Sequence, residues 1–126
     1  MKREDIAAMG ALQRKELLED VADLVHREEW RIGEAVRFLR AVVLRRSRQN
    51  FARLVGISPA ALQQLEDRED VNPTLHTLNA VMRPFGAAMG FVFPRMHPSP
   101  EPTAEVEQRR AMIKDSLAST RRLRKA

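Results

Sequence analysis

The chain has 126 residues, enough for one modest core with appendages, and 44% of them are hydrophobic, which points to a globular class. It has no cysteine, so disulfides and thiolate metal sites are excluded, and no apolar run reaches the length of a membrane span. The net charge is +5, a balance that favours an anionic partner over a basic one.

Five glycines and no tyrosine weigh against a strand-rich fold, whereas abundant Ala, Leu, Arg and Glu favour helix. The opening MKREDIAAMG mixes acids with bases and lacks an apolar core, which predicts that it is not a signal peptide. From about Glu4 to Glu29 the spacing predicts a helix. Leu17, Leu18, Val21, Leu24 and Val25 form its apolar face, with acids opposite. Trp30 reads as a packing anchor. A second helix is expected from about Gly33 to Leu44, with Val36, Leu39 and Val43 inward and Arg37 and Arg40 off that face. Ser47 then fits the N-cap of a short helix from about Arg48 to Val55, closed by Gly56. Ser58 and Pro59 suit the cap and first position of the next helix, with Leu62 and Leu65 turned inward. After Asn72-Pro73, Thr74 is expected to cap a helix through about Met82. Met89, Phe91 and Phe93 alternate with Gly90 and Val92 as in a short strand. His97–Pro102 reads as a proline-rich linker, and about Thr103 to Leu123 as a helix with a thin apolar stripe of Val106, Ile113 and Leu117. The expected organisation is an N-terminal helix in 1–30, a helical domain with its terminal strand in 31–94, and a linker with a basic tail in 95–126.

The charge is unevenly spread: −3 over residues 1–30, +6 over 31–56, −3 over 57–72, and +3 over 101–126. Positive charge is thus concentrated just before and within FARLVGISPAALQQLE, residues 51–66. A concentrated patch of this kind fits a polyanion, nucleic acid above all; a solvated helix face is the plainer alternative. Within that stretch Ala52, Gly56 and Leu62 have a simple division of labour. Two helices meeting steeply need a small side chain where they touch, a turn residue tolerant of positive φ, and a buried anchor on the second helix.

The segment from about Leu39 to Phe93 resembles Xre-type, phage-repressor-like helix-turn-helix domains. The resemblance is carried by Phe51, Ala52, Leu54, Gly56, Ile57, Ser58, Leu62, Leu65 and Glu66, then Asn72, Pro73, Thr74, Leu75, Thr77 and Leu78. It implies an all-α, five-helix domain, here with an extra N-terminal helix and one short C-terminal dimerisation strand. The ending PFGAAMGFVF resembles antitoxins of the HipB kind. That implies a strand through Met89, Phe91 and Phe93 pairing with its twin in a homodimer. It further implies an autoregulating repressor of a toxin–antitoxin operon, with a HipA-like kinase as the toxin, and a cytoplasmic, nucleoid-associated location.

The resemblance also implies roles for single residues. The helix from Pro59 to about Asp67 would enter the major groove of double-stranded operator DNA. Base contacts fall at Ala60, Gln63 and Gln64. A glutamine amide can pair with adenine N6 and N7, and Ala60 can touch a thymine methyl. Arg45, Arg46, Arg48 and Ser58 are the expected phosphate contacts. Glu66 is expected to pair with an arginine of the first core helix, Arg40. The sequence departs from the family where Pro59 and Ala60 stand, since neither offers a side-chain hydrogen bond. That departure keeps a second reading open, a protein-interaction module that neutralises a kinase toxin with little specific DNA readout.

No arrangement of residues suggests catalysis. His26, His76 and His97 are scattered, no glycine-rich phosphate loop exists, and no nucleophile elbow is present. No enzyme activity, cofactor or metal is expected. The closing cluster Arg121, Arg122, Arg124 and Lys125 fits an arm that adds DNA affinity, a segment that folds on a toxin, or a solvated terminus.

Overall fold

The computed structural model describes residues 10–88 and 101–125. Among them the fold is all-α, with six α-helices: α1 (Ala11–His26), α2 (Ile32–Phe38), α3 (Arg48–Val55), α4 (Pro59–Asp67), α5 (Leu75–Met82) and α6 (Ala104–Lys125). The expected strand at Met89, Phe91 and Phe93 lies outside the described residues, as does the first part of the N-terminal helix. No described helix is long and apolar enough to cross a membrane.

Capping chemistry explains most of the helix starts. The hydroxyls of Ser47, Ser58 and Thr74 accept from the backbone N–H groups of Asn50, Ala61 and Thr77 at 3.1, 3.0 and 3.1 Å. Each satisfies a donor that helix geometry leaves without an intrahelical partner, a contribution of about 1 kcal/mol. Pro59 occupies the first turn of α4, where its missing N–H costs nothing. Thr103 does the same capping work for α6, accepting from Val106 N–H at 3.3 Å.

The second helix differs from the expectation. A regular α-helix would place Arg37 and Arg40 away from the core, but both are buried, as is every residue from Ala35 to Arg40. The reason is position: α2 is the central helix and packs on α1, α4 and α6, so from Ala35 onward it has no solvent face. It also widens. Leu39–Val43 form a π-helical turn, after which Leu44 N–H bonds to Leu39 C=O at 2.9 Å. Beyond it Arg45 stands at φ 56°, in the left-handed region, which ends the helix and turns the chain toward α3.

Among the described residues a single core joins side chains from all six helices. Leu17, Val21 and Leu24 of α1 meet Val36 and Phe38 of α2, Leu39 of the π-turn, Phe51 and Ala52 of α3, Leu62 and Leu65 of α4, and Val81 of α5. Ile113 and Leu117 of α6 belong to the same cluster. Trp30 packs on Phe38 with ring centroids 5.5 Å apart. Leu54 and Leu75, two of the residues that carry the family resemblance, are exposed, because nothing described covers the outer sides of α3 and the start of α5.

One close approach sets the geometry. A Cβ placed on Gly33 would lie 2.1 Å from the carbonyl oxygen of Leu65, so α2 and α4 touch backbone to backbone there. The backbone of α4 has no flexible end that could yield. Gly33→Ala is expected to lower stability by about 2–3 kcal/mol, within the range for overpacking a core, read as a reduced denaturant midpoint. Gly56→Ala is expected to cost only about 1 kcal/mol, because its burden is the φ of 79° and not lack of space.

Candidate nucleic-acid interface

The candidate site is built on α3, α4 and the turn between them. Gly56 takes the left-handed conformation at φ 79°. Gly56 N–H and Ile57 N–H both donate to the Ala52 carbonyl, at 2.9 and 3.0 Å, which ends α3. Ala52 itself is fully buried, leaving room for the two helices to meet. Leu62 and Leu65 bury one side of α4 and so turn the other side out. Ala60, Gln63 and Gln64 lie exposed on that outer side, together with Pro59.

A network of guanidinium groups fixes how α4 is held. Arg40 forks onto Glu66, Nε to Oε2 at 2.7 Å and Nη2 to Oε1 at 2.8 Å. Its remaining nitrogen, Nη1, donates to the Arg46 carbonyl at 2.8 Å. Arg48 adds Nε to Glu66 Oε1 at 3.2 Å and Nη2 to Asp67 Oδ1 at 2.6 Å. Glu66 is fully buried, and a buried carboxylate is tolerated only when charges and hydrogen bonds satisfy it. At the far end of α4, Arg31 Nη1 donates to the Arg68 carbonyl at 3.1 Å.

The arginines expected at phosphates divide into two groups. Arg45 and Arg46 are exposed at the entrance to α3, and Arg46 Nη1 donates to Asn50 Oδ1 at 2.9 Å, which steadies its direction. Arg48 is different. Its guanidinium pairs with Glu66 and Asp67, so it braces α4. The difference arises because Arg48 opens α3 on the side facing α4, within reach of two carboxylates. Ser58, also expected at a phosphate, uses its hydroxyl as the cap of α4. Arg53 is exposed on α3 and extends the positive surface. Its sequence signal was the helical spacing from Arg46 and Asn50. Gly33, which seats α4, carried only the weak signal of a glycine among helix formers.

Comparison with known proteins finds no matching family model, no matching curated protein and no matching solved structure.

The network makes a clear energetic expectation. Glu66→Gln leaves Arg40 buried without its counter-charge and should destabilise the fold by about 3–5 kcal/mol, measured by urea denaturation. The double change Arg40→Met with Glu66→Leu should cost far less, because both charges leave together.

Proposed function

We propose that this chain is a DNA-binding transcriptional regulator of the helix-turn-helix type, in which α4 is the recognition helix. The observation that carries the reading is the outward face of α4. Gln63 and Gln64 are exposed there while Arg40, Arg48 and Glu66 brace the inner face. Glutamine amides reach base edges in the major groove, and Arg45 and Arg46, exposed just before α3, would supply the phosphate contacts that set register. A two-fold dimer would present two such helices roughly 34 Å apart, one turn of duplex, and so would occupy a palindromic operator as a repressor. The further assignment as a HipB-like antitoxin rests on the sequence of the stretch from Pro84 to Phe93.

A second reading has its own observation. Pro59 and Ala60 are exposed at the start of α4, and Leu54 is about half exposed on α3. That surface is less polar than a base-reading face needs, and it suits contact with a protein such as a kinase toxin. A mobility shift on the DNA upstream of the gene separates the two. Binding at physiological salt that is much weaker for scrambled DNA supports the regulator. Salt-sensitive binding that ignores sequence supports the interaction module.

Two substitutions sharpen the test. Arg45→Ala with Arg46→Ala should weaken binding to every duplex alike and reduce the log–log salt slope by about one to two. Gln64→Ala should instead cost about 1–3 kcal/mol on the operator with little change on scrambled DNA. A uniform loss from Gln64→Ala would contradict base reading by α4.

A further inference from the structure

The seam between α1 and α6 is built of opposite charges. Arg109 forks onto Asp20, with Nη2 3.1 Å from Oδ1, and its Nη1 lies 3.8 Å from Glu16. Arg110 Nη2 lies 2.6 Å from Asp23 Oδ2, and Lys114 Nζ lies 2.8 Å from Glu29 Oε1. These pairs act on both partners. The hydrogen bond to Asp20 raises the Arg109 guanidinium above its ordinary range, and the Lys114 hydrogen bond holds the Glu29 carboxyl below its own. Apolar burial along α6 is slight by comparison. Among its described side chains only Ile113 and Leu117 are fully buried. With so thin an apolar stripe, these largely buried ion pairs share in the docking of α6, and another anion that pairs with the same guanidinium groups competes with the carboxylates.

The same geometry excludes a second use of the arginines while α6 is docked. Arg109 and Arg110 cannot face phosphates when their guanidinium groups sit on Asp20 and Asp23. Four more cations, Arg121, Arg122, Arg124 and Lys125, follow at the end of the same helix in the sequence.

We propose that α6 is a second nucleic-acid-binding element held masked by α1: the carboxylates of Asp20 and Asp23 occupy Arg109 and Arg110 until the phosphates of a duplex take their place. Nucleic acid as the partner rests on the function proposed above; the masking itself rests on the seam. Ile113→Asn frees α6 without changing any charge. In the full chain it should tighten binding to a 20-base-pair scrambled duplex at least about fivefold and steepen the log–log salt slope by about two, followed by fluorescence anisotropy. Adding Arg109→Gln and Arg110→Gln should cancel that gain. In the unaltered protein the duplex should also shift the emission of Trp30, the one tryptophan, which lines a cleft with Leu117. Unchanged affinity and slope in Ile113→Asn overturn the proposal.

If Ile113→Asn loses its cooperative unfolding transition, Asp20→Asn with Asp23→Asn serves instead. Its comparison is Glu19→Gln with Glu28→Gln, an exposed pair carrying the same charge change. A gain beyond that control supports masking, and a gain equal to it refutes masking. Loss of operator preference on altering Gln64, with the Ile113→Asn gain absent, leaves the recognition helix and removes the arm. A persistent gain with no operator preference leaves the arm and removes the recognition helix.

Discussion

The guanidinium of Arg40 ties three separate parts of the chain together, and the candidate site depends on it. Two of its nitrogens fork onto Glu66 of α4, and the third holds the carbonyl of Arg46 just before α3. A buried ion pair of this kind adds little net stability over an apolar replacement, because desolvation offsets most of the Coulombic attraction. Its effect is geometric. The fork admits one rotation of α4 about its axis, and the bond to Arg46 links that rotation to the strip of backbone from which Arg45 and Arg46 project. Glu66 is shared with Arg48, so the carboxylate is satisfied from both neighbouring helices at once.

The central position of α2 follows from the same requirement. To deliver Arg40 to α4, the helix must run through the middle of the molecule, and it is buried all round from Ala35 onward. Gly33 lets its backbone come against that of α4, and the π-turn at Leu39–Val43 ends in a left-handed Arg45 that releases the chain outward. Such wide turns recur at functional positions in helices because they redirect side chains without breaking the helix. Here the widened turn carries Leu39, Arg40, Val42 and Val43 all inward.

Arginine is used in three ways, which a net charge of +5 conceals. Arg40 and Arg48 work inside the fold, on carboxylates of α4. Arg45, Arg46 and Arg53 are exposed just before and on α3. Arg109 and Arg110 lie against α1 and its acids. The third group is already neutralised by Asp20 and Asp23.

Local chemistry was legible in the sequence wherever a single residue type decides a backbone conformation. Ser47, Ser58 and Thr74 announce helix starts, Gly56 announces the turn, and Ala52 and Leu62 announce which sides of α3 and α4 face inward, because each depends on interactions a few residues away. The exposure of Gln63 and Gln64 follows from that same spacing. Arg37 and Arg40 read as lying off the apolar face because periodicity along one helix cannot show that three other helices surround it; the pairing of Arg40 with Glu66 came from the family resemblance, not from that periodicity. The pairing of Arg48 with Glu66 and Asp67 was not legible, because those distances exist only once α3 and α4 are packed. Asp20 looked like one acid among many until α6, distant in sequence, brought Arg109 against it. What the sequence by itself determined was the set of helices and their caps, since these rest on local bonds; which charges turn inward, which stay in water and which neutralise one another was decided by the tertiary structure, since ion pairing is set by distances through space.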